Sequence, residues 1–442
     1  MTKKIVILGA GESGVGAAIL AKSKAYDIFI SDYSAINEIY KKELSENNIS
    51  FEENKHSEKI ILNADEVIKS PGIPDSSVII QKIKQKNIPI ISEIEFASRY
   101  TKAKMICITG SNGKTTTTLL TYQIFKNAGY NVGIAGNIGN SFAKQVAHND
   151  FDFYVLELSS FQLDNMHNFK ADTSVLLNIT PDHLDRYDND FLKYVNSKFK
   201  ITQNQTKDDV FIYNSDDETI KNSINDIKTK KLPFSIKVEL DEGAFLENEN
   251  LIFKTKNDFI EMLATDLSLR GKHNIYNSMA AALTAMTHNI KNPIIRETLT
   301  SFKNVEHRLE NVLKIRGINF VNDSKATNVN SVWYALEAID EKIVLILGGI
   351  DKGNDYSIIR NLVKKKVKSI VALGIDNEKI KDYFGKIVPV IETKSMDKAV
   401  MEAYKEAHKN DTVLLSPACA SFDLFKNYID RGNKFKNAVK NL

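Results

Sequence analysis

The sequence predicts an α/β protein of three domains, with mostly parallel sheets covered by helices. Three observations predict it. Short β-rich apolar runs alternate with helical stretches along the whole chain. Most runs end in a glycine or a turn that leads into a helical pattern, as in βαβ units. The length, 442 residues, matches about three domains of roughly 150 residues each.

The elements follow in order. Runs 5–8 and 28–30 read as the first strands of an N-terminal block. Runs 105–109, 154–158 and 174–178 read as buried strands of a middle block, with helical patterns at 117–127 and 191–201. Residues 205–265 hold short strands, 211–213 and 251–254 among them, between acidic turns, and read as an extension of the middle sheet. Runs 343–347, 370–373 and 413–415 form a third block. The stretches 92–104 and 300–308 separate the blocks, so the expected domains are 1–98, 99–304 and 305–442.

Composition excludes several classes. Lys and Arg total 59 against 56 Asp and Glu, a net charge of +3 that argues for neither a nucleic-acid nor a membrane partner. No apolar run approaches the roughly 18 residues of a membrane-spanning helix. The N-terminus runs straight into a strand, with no signal peptide visible. Cys107 and Cys419 are the only cysteines, which excludes a disulfide framework and a Cys-based zinc site and fits a reducing cytoplasm. The expected state is a monomer.

The strongest local signal is Gly110-Ser111-Asn112-Gly113-Lys114-Thr115-Thr116, after a strand and before a helix. Backbone amides of such a loop wrap phosphate oxygens, and the helix start adds partial positive charge. Lys114 would neutralise the β/γ-phosphates of a nucleotide, and Thr115 would offer its hydroxyl to Mg²⁺. Ile108 stands where the general phosphate-loop pattern has its first glycine, so the loop is a shortened variant. A plain glycine turn is the competing reading. A hard-oxygen ligand for Mg²⁺ is expected nearby, and Glu157 ends the next strand. His183, after the following strand, takes the usual ligand side of an α/β sheet.

A second glycine motif, Gly9-Ala10-Gly11-Glu12-Ser13-Gly14, follows the first strand, and Asp32 ends the second. This is a dinucleotide-type fingerprint, with Asp32 on a ribose hydroxyl. It accepts any pyrophosphate: NAD, FAD or a UDP-sugar. Nothing downstream resembles hydride chemistry, so a diphosphate substrate is favoured over a redox cofactor. A nicotinamide oxidoreductase and a non-catalytic ATP switch are the distant alternatives.

Taken together these blocks resemble the Mur ligase family over essentially the whole chain. The resemblance rests on the phosphate loop, on Gly136-Asn137-Ile138-Gly139, on the segment from Leu156 to Leu163, and on the segment from Asn178 to Asp185. It rests further on Leu269-Arg270-Gly271-Lys272-His273-Asn274 with Asn277, on Glu306-His307-Arg308, and on the segment from Asn322 to Asn328. The stretch from Ser416 to Asp423, continuing through Tyr428 to Asn433, is similar to the glutamate-adding branch.

The resemblance implies a Rossmann-like UDP-binding domain, a central phosphate-loop ATPase domain and a Rossmann-like amino-acid domain. It implies an ATP-dependent amide ligase of peptidoglycan precursor synthesis. UDP-N-acetylmuramoyl-L-alanine and D-glutamate are the expected substrates. A sister ligase or an L-glutamate variant is the close alternative.

Residue by residue, the resemblance implies one Mg²⁺ on Thr115 and Glu157. It implies a second on His183 and on Lys198, the latter carbamylated by CO₂, because an ammonium would repel the ion. Asn274 and Asn277 are expected near adenine. Arg308, Asp323 and Lys325 are expected at the nucleotide, with Lys325 near the γ-phosphate. Lys325, Thr327, Lys352, Ser421 and the Tyr428 backbone are expected around the amino acid, where a dicarboxylate needs cationic and hydroxyl donors. Ser13, Asp32, Ser70, Gly72, Asn137, Ser159, Gln162 and His183 are expected along the UDP-sugar. Cys419 is expected to be buried and inert, Trp333 to lie in a core, and the tract Lys364-Lys365-Lys366 to be a solvated helix end.

Overall fold

In the computed structural model, which describes residues 2–302, 306–351 and 353–442, the apolar runs form three sheets. The first contains β1 (Lys4–Leu8), β2 (Asp27–Ser31), β3 (Ser50–Glu52), β4 (Glu66–Lys69) and β5 (Ile90–Ile91). Its order is β3-β2-β1-β4-β5, and every pair is parallel.

The second sheet contains β6 (Lys104–Thr109), β7 (Val132–Gly136), β8 (Phe153–Glu157), β9 (Thr173–Leu176), β10 (Val210–Asn214), β11 (Lys230–Ser235), β12 (Gly243–Glu247), β13 (Asn250–Lys254) and β14 (Phe259–Leu263). Its order is β14-β13-β12-β11-β10-β9-β6-β8-β7, parallel from β7 to β12 and antiparallel beyond. The stretch 205–265 therefore extends the middle sheet, as its pattern suggests.

The third sheet contains β15 (Glu310–Ile315), β16 (Ile318–Asn322), β17 (Ile343–Gly348), β18 (Val367–Leu373), β19 (Val390–Thr393) and β20 (Thr412–Ala418). It runs β15-β16-β20-β17-β18-β19, with only β15 and β16 antiparallel. The fold class expected from sequence is the one observed. Every strand named from sequence exists, with ends shifted by a few residues. The run 174–178 stops pairing at Leu176, which leaves Asn178 in a loop.

The chain divides into two compact units. One comprises Met1–Asp266 and Tyr276–Leu299 and holds the first two sheets; the other comprises Leu267–Ile275 and Thr300–Leu442 and holds the third. The central strands are apolar because both of their faces are covered, whereas the edge strand β14 alternates exposed and buried residues. Val6, Ile7, Ile106, Ile108, Leu345 and Leu414 have no exposed surface. Among the described residues no helix is long and apolar enough to cross a membrane.

Within the first unit, Glu93 joins the first two sheets' helices. It opens the helix Glu93–Ser98 and is buried against the helix Phe142–His148. Its Oε1 accepts from Ser141 Oγ and from Ala143 N, both at 2.6 Å. The helix Glu12–Ser23 approaches the same point through Gly16, where a Cβ would stand 2.0 Å from Ser141 Oγ. Burial pushes the Glu93 carboxyl up to about 7, against those hydrogen bonds, and nearby Glu12 adds to the rise. The folded pKa exceeds the ordinary 4.5, so this group's stabilising contribution is complete below about 4.5 and lost as pH rises through about 7. Glu93→Gln keeps the acceptor and removes the charge. Thermal melts should show the variant matching the wild type near pH 5 and exceeding it near pH 8. A difference that does not change with pH would refute this.

In the second unit, the basic tract departs from expectation. Lys364 and Lys365 are exposed, but Lys366 Nζ donates to Leu336 O, Glu337 O and Ile339 O at 3.0, 3.0 and 2.6 Å. A cation there satisfies the carbonyls that end the helix Val329–Ala338. Trp333 is half-buried at the margin of the core, not within it, because its helix turns that face partly outward beside Tyr334. Cys419 is buried, its Sγ 3.3 Å from Asn354 Nδ2, and burial pushes its thiol up to about 11. Both the burial and the raised pKa disfavour the reactive thiolate.

Candidate active site

The phosphate loop forms where strand order reverses, since β6 lies between β8 and β9. Register brings its neighbours in. Ile108 pairs with Glu157 and Thr109 with Leu176, so both adjoining strands end beside the loop. Ser111 N donates to Asn178 O at 2.9 Å, and Asn112 N to Asn178 Oδ1 at 2.8 Å. Asn178 Nδ2 returns a bond to Asn112 O at 3.0 Å. Ser111 Oγ lies 2.9 Å from Tyr194 Oη and donates to Thr180 O at 2.8 Å. Lys114 Nζ folds back on the carbonyls of Gly110 and Ser111 at 2.7 and 2.9 Å.

Gly113 starts the helix Lys114–Asn127 at φ 85°, and a Cβ there would stand 2.3 Å from Asn277 Oδ1. Only glycine suits both demands. Asn277 also takes a hydrogen bond from Thr117 Oγ1 at 3.2 Å. Thr115 and Thr116 are buried on the first turn of that helix. The seven loop residues, Asn277 and Glu157 are therefore brought together.

Glu157 is buried and accepts from Asn137 Nδ2 at 2.8 Å. Ser159 and Gln162 bond to each other as a reciprocal cap on the helix Ser160–Leu163. His183 stands at φ 53° at the head of a short 3-10 turn, 3.8 Å from Asp182 and 5.3 Å from the Phe161 ring centre.

Lys198 is the most unusual group in the first unit. The helix Phe191–Phe199, capped by Asp190, carries it fully inside. Its Nζ donates to Gly110 O at 2.9 Å and to Thr109 Oγ1 at 3.3 Å, and lies 5.2 Å from the Tyr194 ring centre. Burial, then the charge of Lys114, hold its amine well below the ordinary ammonium value, while Asp182, Glu157 and Asp164 pull the other way. A surface lysine is the plain alternative for this residue, and burial removes it.

The first sheet holds a cavity of about 890 Å³ lined by Ser13, Asp32, Ser70 and Gly72. Asp32 accepts from Ala10 N at 2.7 Å and from Ser34 N at 2.8 Å, which ties the glycine loop to the turn after β2. Arg186, in the short 3-10 turn Leu184–Tyr187, grips the cavity wall from the middle sheet's side. Its guanidinium donates to Gly72 O at 3.2 Å and to Pro71 O and Ile73 O at 3.3 Å, and stacks 4.5 Å from the Phe161 ring centre. Sequence reasoning missed Arg186 and Asn178 as site-building residues, because only the packing shows what they hold.

In the second unit, Asp323 is buried and accepts from Ser416 Oγ at 2.8 Å and Leu309 N at 3.3 Å. Burial pushes its carboxyl up to about 7, against the Ser416 hydrogen bond and the charge of Arg308. Lys325 Nζ lies 5.4 Å from the Tyr428 ring centre, and Ser324 Oγ donates to Tyr428 O at 2.7 Å. Arg431, also missed, is buried and clamps two loops, donating to Ser324 Oγ and Ser324 O and to Cys419 O at 3.1, 2.9 and 3.1 Å. Those loops carry Lys325 and Ser421, and Ser421 is buried. Thr327 precedes the helix Val329–Ala338 and is half-buried. Asn274 Nδ2 donates to Arg270 O at 2.8 Å. Lys352 lies outside the described residues.

Known proteins complete the description. Residues 4–78 match the model of the MurD N-terminal domain, 108–285 the Mur ligase middle domain, and 307–419 the Mur ligase glutamate ligase domain. The chain is 56% identical over 444 residues to a UDP-N-acetylmuramoylalanine–D-glutamate ligase of Bacteroides fragilis, covering 100% of both chains. It is 53% identical over 445 residues to the protein of that name from Christiangramia forsetii, again covering 100% of both. Among solved structures, UDP-N-acetylmuramate-alanine ligase MurC from Thermotoga maritima shares the fold, with a TM-score of 0.64 at 18% identity and 100% of both chains covered.

Proposed function

The chain belongs to the Mur ligase family, and on that premise we propose that it joins D-glutamate to UDP-N-acetylmuramoyl-L-alanine with hydrolysis of ATP. One observation carries the reading. The phosphate loop, Glu157 and the buried Lys198 meet in the same unit that holds the cavity of the N-terminal glycine fingerprint.

The chemistry requires such an arrangement. A carboxylate is a poor electrophile, so its oxygen first takes the γ-phosphoryl group of ATP and ADP leaves. The glutamate amine then attacks the acyl phosphate, loses a proton and expels inorganic phosphate. Loop amides and Lys114 hold and neutralise the phosphates during transfer. Lys325 and Ser421 would bind the amino acid through charge and hydroxyl donors.

The donors present fit Mg²⁺, which takes one or two carboxylates and substrate phosphates. Thr115 and Glu157 would hold one ion, and His183 with carbamylated Lys198 a second. Bound Mg²⁺ would offset charge on the transferring phosphoryl group. Carbamylation needs an unprotonated amine, and burial shifts Lys198 toward that form. We place the reaction in the cytoplasm and the domain limits at 98/99 and 304/305.

The test measures phosphate release from ATP and Mg²⁺ with UDP-N-acetylmuramoyl-L-alanine, adding D-glutamate, L-glutamate or neither. Release that needs both substrates, with a product heavier by one glutamyl residue, is expected for D-glutamate. Release with another amino acid only would move the assignment to a sister ligase.

A further inference from the structure

The cavity of the first sheet contains a polar array that the ligase chemistry does not use. Ser31, at the end of β2, is fully buried. Its Oγ lies 2.7 Å from Glu52 Oε1 and 2.7 Å from His56 Nδ1. Ser57 N also donates to Glu52 Oε1 at 2.7 Å. His56 lines the cavity beside Tyr33, with ring centres 5.7 Å apart.

These contacts settle a tautomer. Burial alone would raise the Glu52 carboxyl, but hydrogen bonds from Ser57 and Ser31 and the charge of Lys55 bring it below its ordinary value, so it is an anion. An ionised carboxylate only accepts. The single Ser31 hydrogen therefore goes to Glu52, since the opposite choice would set two lone pairs together at 2.7 Å. Ser31 Oγ must then accept from His56, so Nδ1 carries the imidazole hydrogen. Burial holds His56 below its ordinary pKa, against the charges of Glu52 and Asp32, and the ring is neutral. Nε2 is left with a lone pair, and among the described residues it makes no hydrogen bond.

Position gives that lone pair a target. In a fingerprint of this type the glycine loop faces the diphosphate and the acidic residue after β2 faces the ribose. On that arrangement the base lies past the ribose, and Tyr33 and His56 line the same cavity as Asp32. We infer that His56 is a specificity residue for the base of the nucleotide substrate, its Nε2 accepting the N3–H of uracil and refusing the N3 lone pair of cytosine. Ser31 and Glu52 act as positioning residues that hold the tautomer. This rests on the reading that a UDP-linked substrate occupies the cavity.

The test compares UDP and CDP binding to the full chain by calorimetry, for the wild type, His56→Leu and Ser31→Ala. The wild type should prefer UDP. His56→Leu should cut that preference about 10-fold or more, and Ser31→Ala should cut it by less. Nitrogen-15 NMR of histidine-labelled wild type should show His56 protonated at Nδ1 and bare at Nε2, a readout that does not depend on any variant folding. An unchanged UDP-to-CDP ratio in His56→Leu overturns the inference, and so does a ring bare at Nδ1. Binding of neither nucleotide by the wild type overturns the cavity assignment beneath it.

Discussion

Lys198→Met should abolish most turnover and yet stabilise the protein. The wild-type amine is fully buried against Gly110 O and Thr109 Oγ1, beside the positive charge of Lys114. Burial and the repulsion of Lys114 outweigh the attraction of Asp182, Glu157 and Asp164, so the charged amine costs free energy, and a methionine of similar length avoids that cost. Melts in CO₂-free buffer near pH 7 should show a gain of roughly 1–3 kcal/mol. Turnover should fall about 10²- to 10³-fold or more, the size of effect seen when one transition-state contact is removed. Carbon-13 NMR after equilibration with labelled bicarbonate should give a carbamate signal in the wild type and none in the variant. A variant that melts lower and turns over within a few-fold of wild type would show that Lys198 is only a packing residue.

Lys114→Met should cost a similar factor for a different reason. Its ammonium holds two loop carbonyls at 2.7 and 2.9 Å, the place from which it can reach a phosphate. Loss of that charge should weaken ATP binding and slow phosphoryl transfer about 10²- to 10³-fold. Lys114→Arg should not restore it, because a planar fork cannot replace a compact ammonium on those two carbonyls. Nucleotide titration and single-turnover phosphate release separate the two effects. Wild-type single-turnover rates in Lys114→Met would exclude the proposed role.

The strands and the phosphate loop could be read from residues because each is local. An apolar run of five residues and a Gly-Lys-Thr turn announce themselves without tertiary knowledge. Lys198 is the opposite case. On sequence alone it is one lysine among many, and only family resemblance singles it out; its burial comes from the helix that carries its side chain under the phosphate loop, onto Thr109 and Gly110. Lys366 shows the same limit from the other side, since a basic tract says nothing of the carbonyls that one member meets. Arg186, Asn178 and Arg431 act by holding backbone, and backbone acceptors leave no mark in a sequence.

The interleaved division of the chain bears on how the protein can be dissected. Residues Leu267–Ile275 belong with the C-terminal unit, although Tyr276–Leu299 return to the first. The polypeptide therefore passes between units three times, and the helix Lys272–Thr287 spans one of the crossings. No single cleavage can yield two complete pieces: a fragment beginning at Thr300 lacks nine residues of its own unit, and one beginning at Leu267 takes a helical segment from the other. Limited proteolysis at such a point should release parts that fail to behave as autonomous folding modules, and recombination by gene fusion at either edge should inherit the same defect.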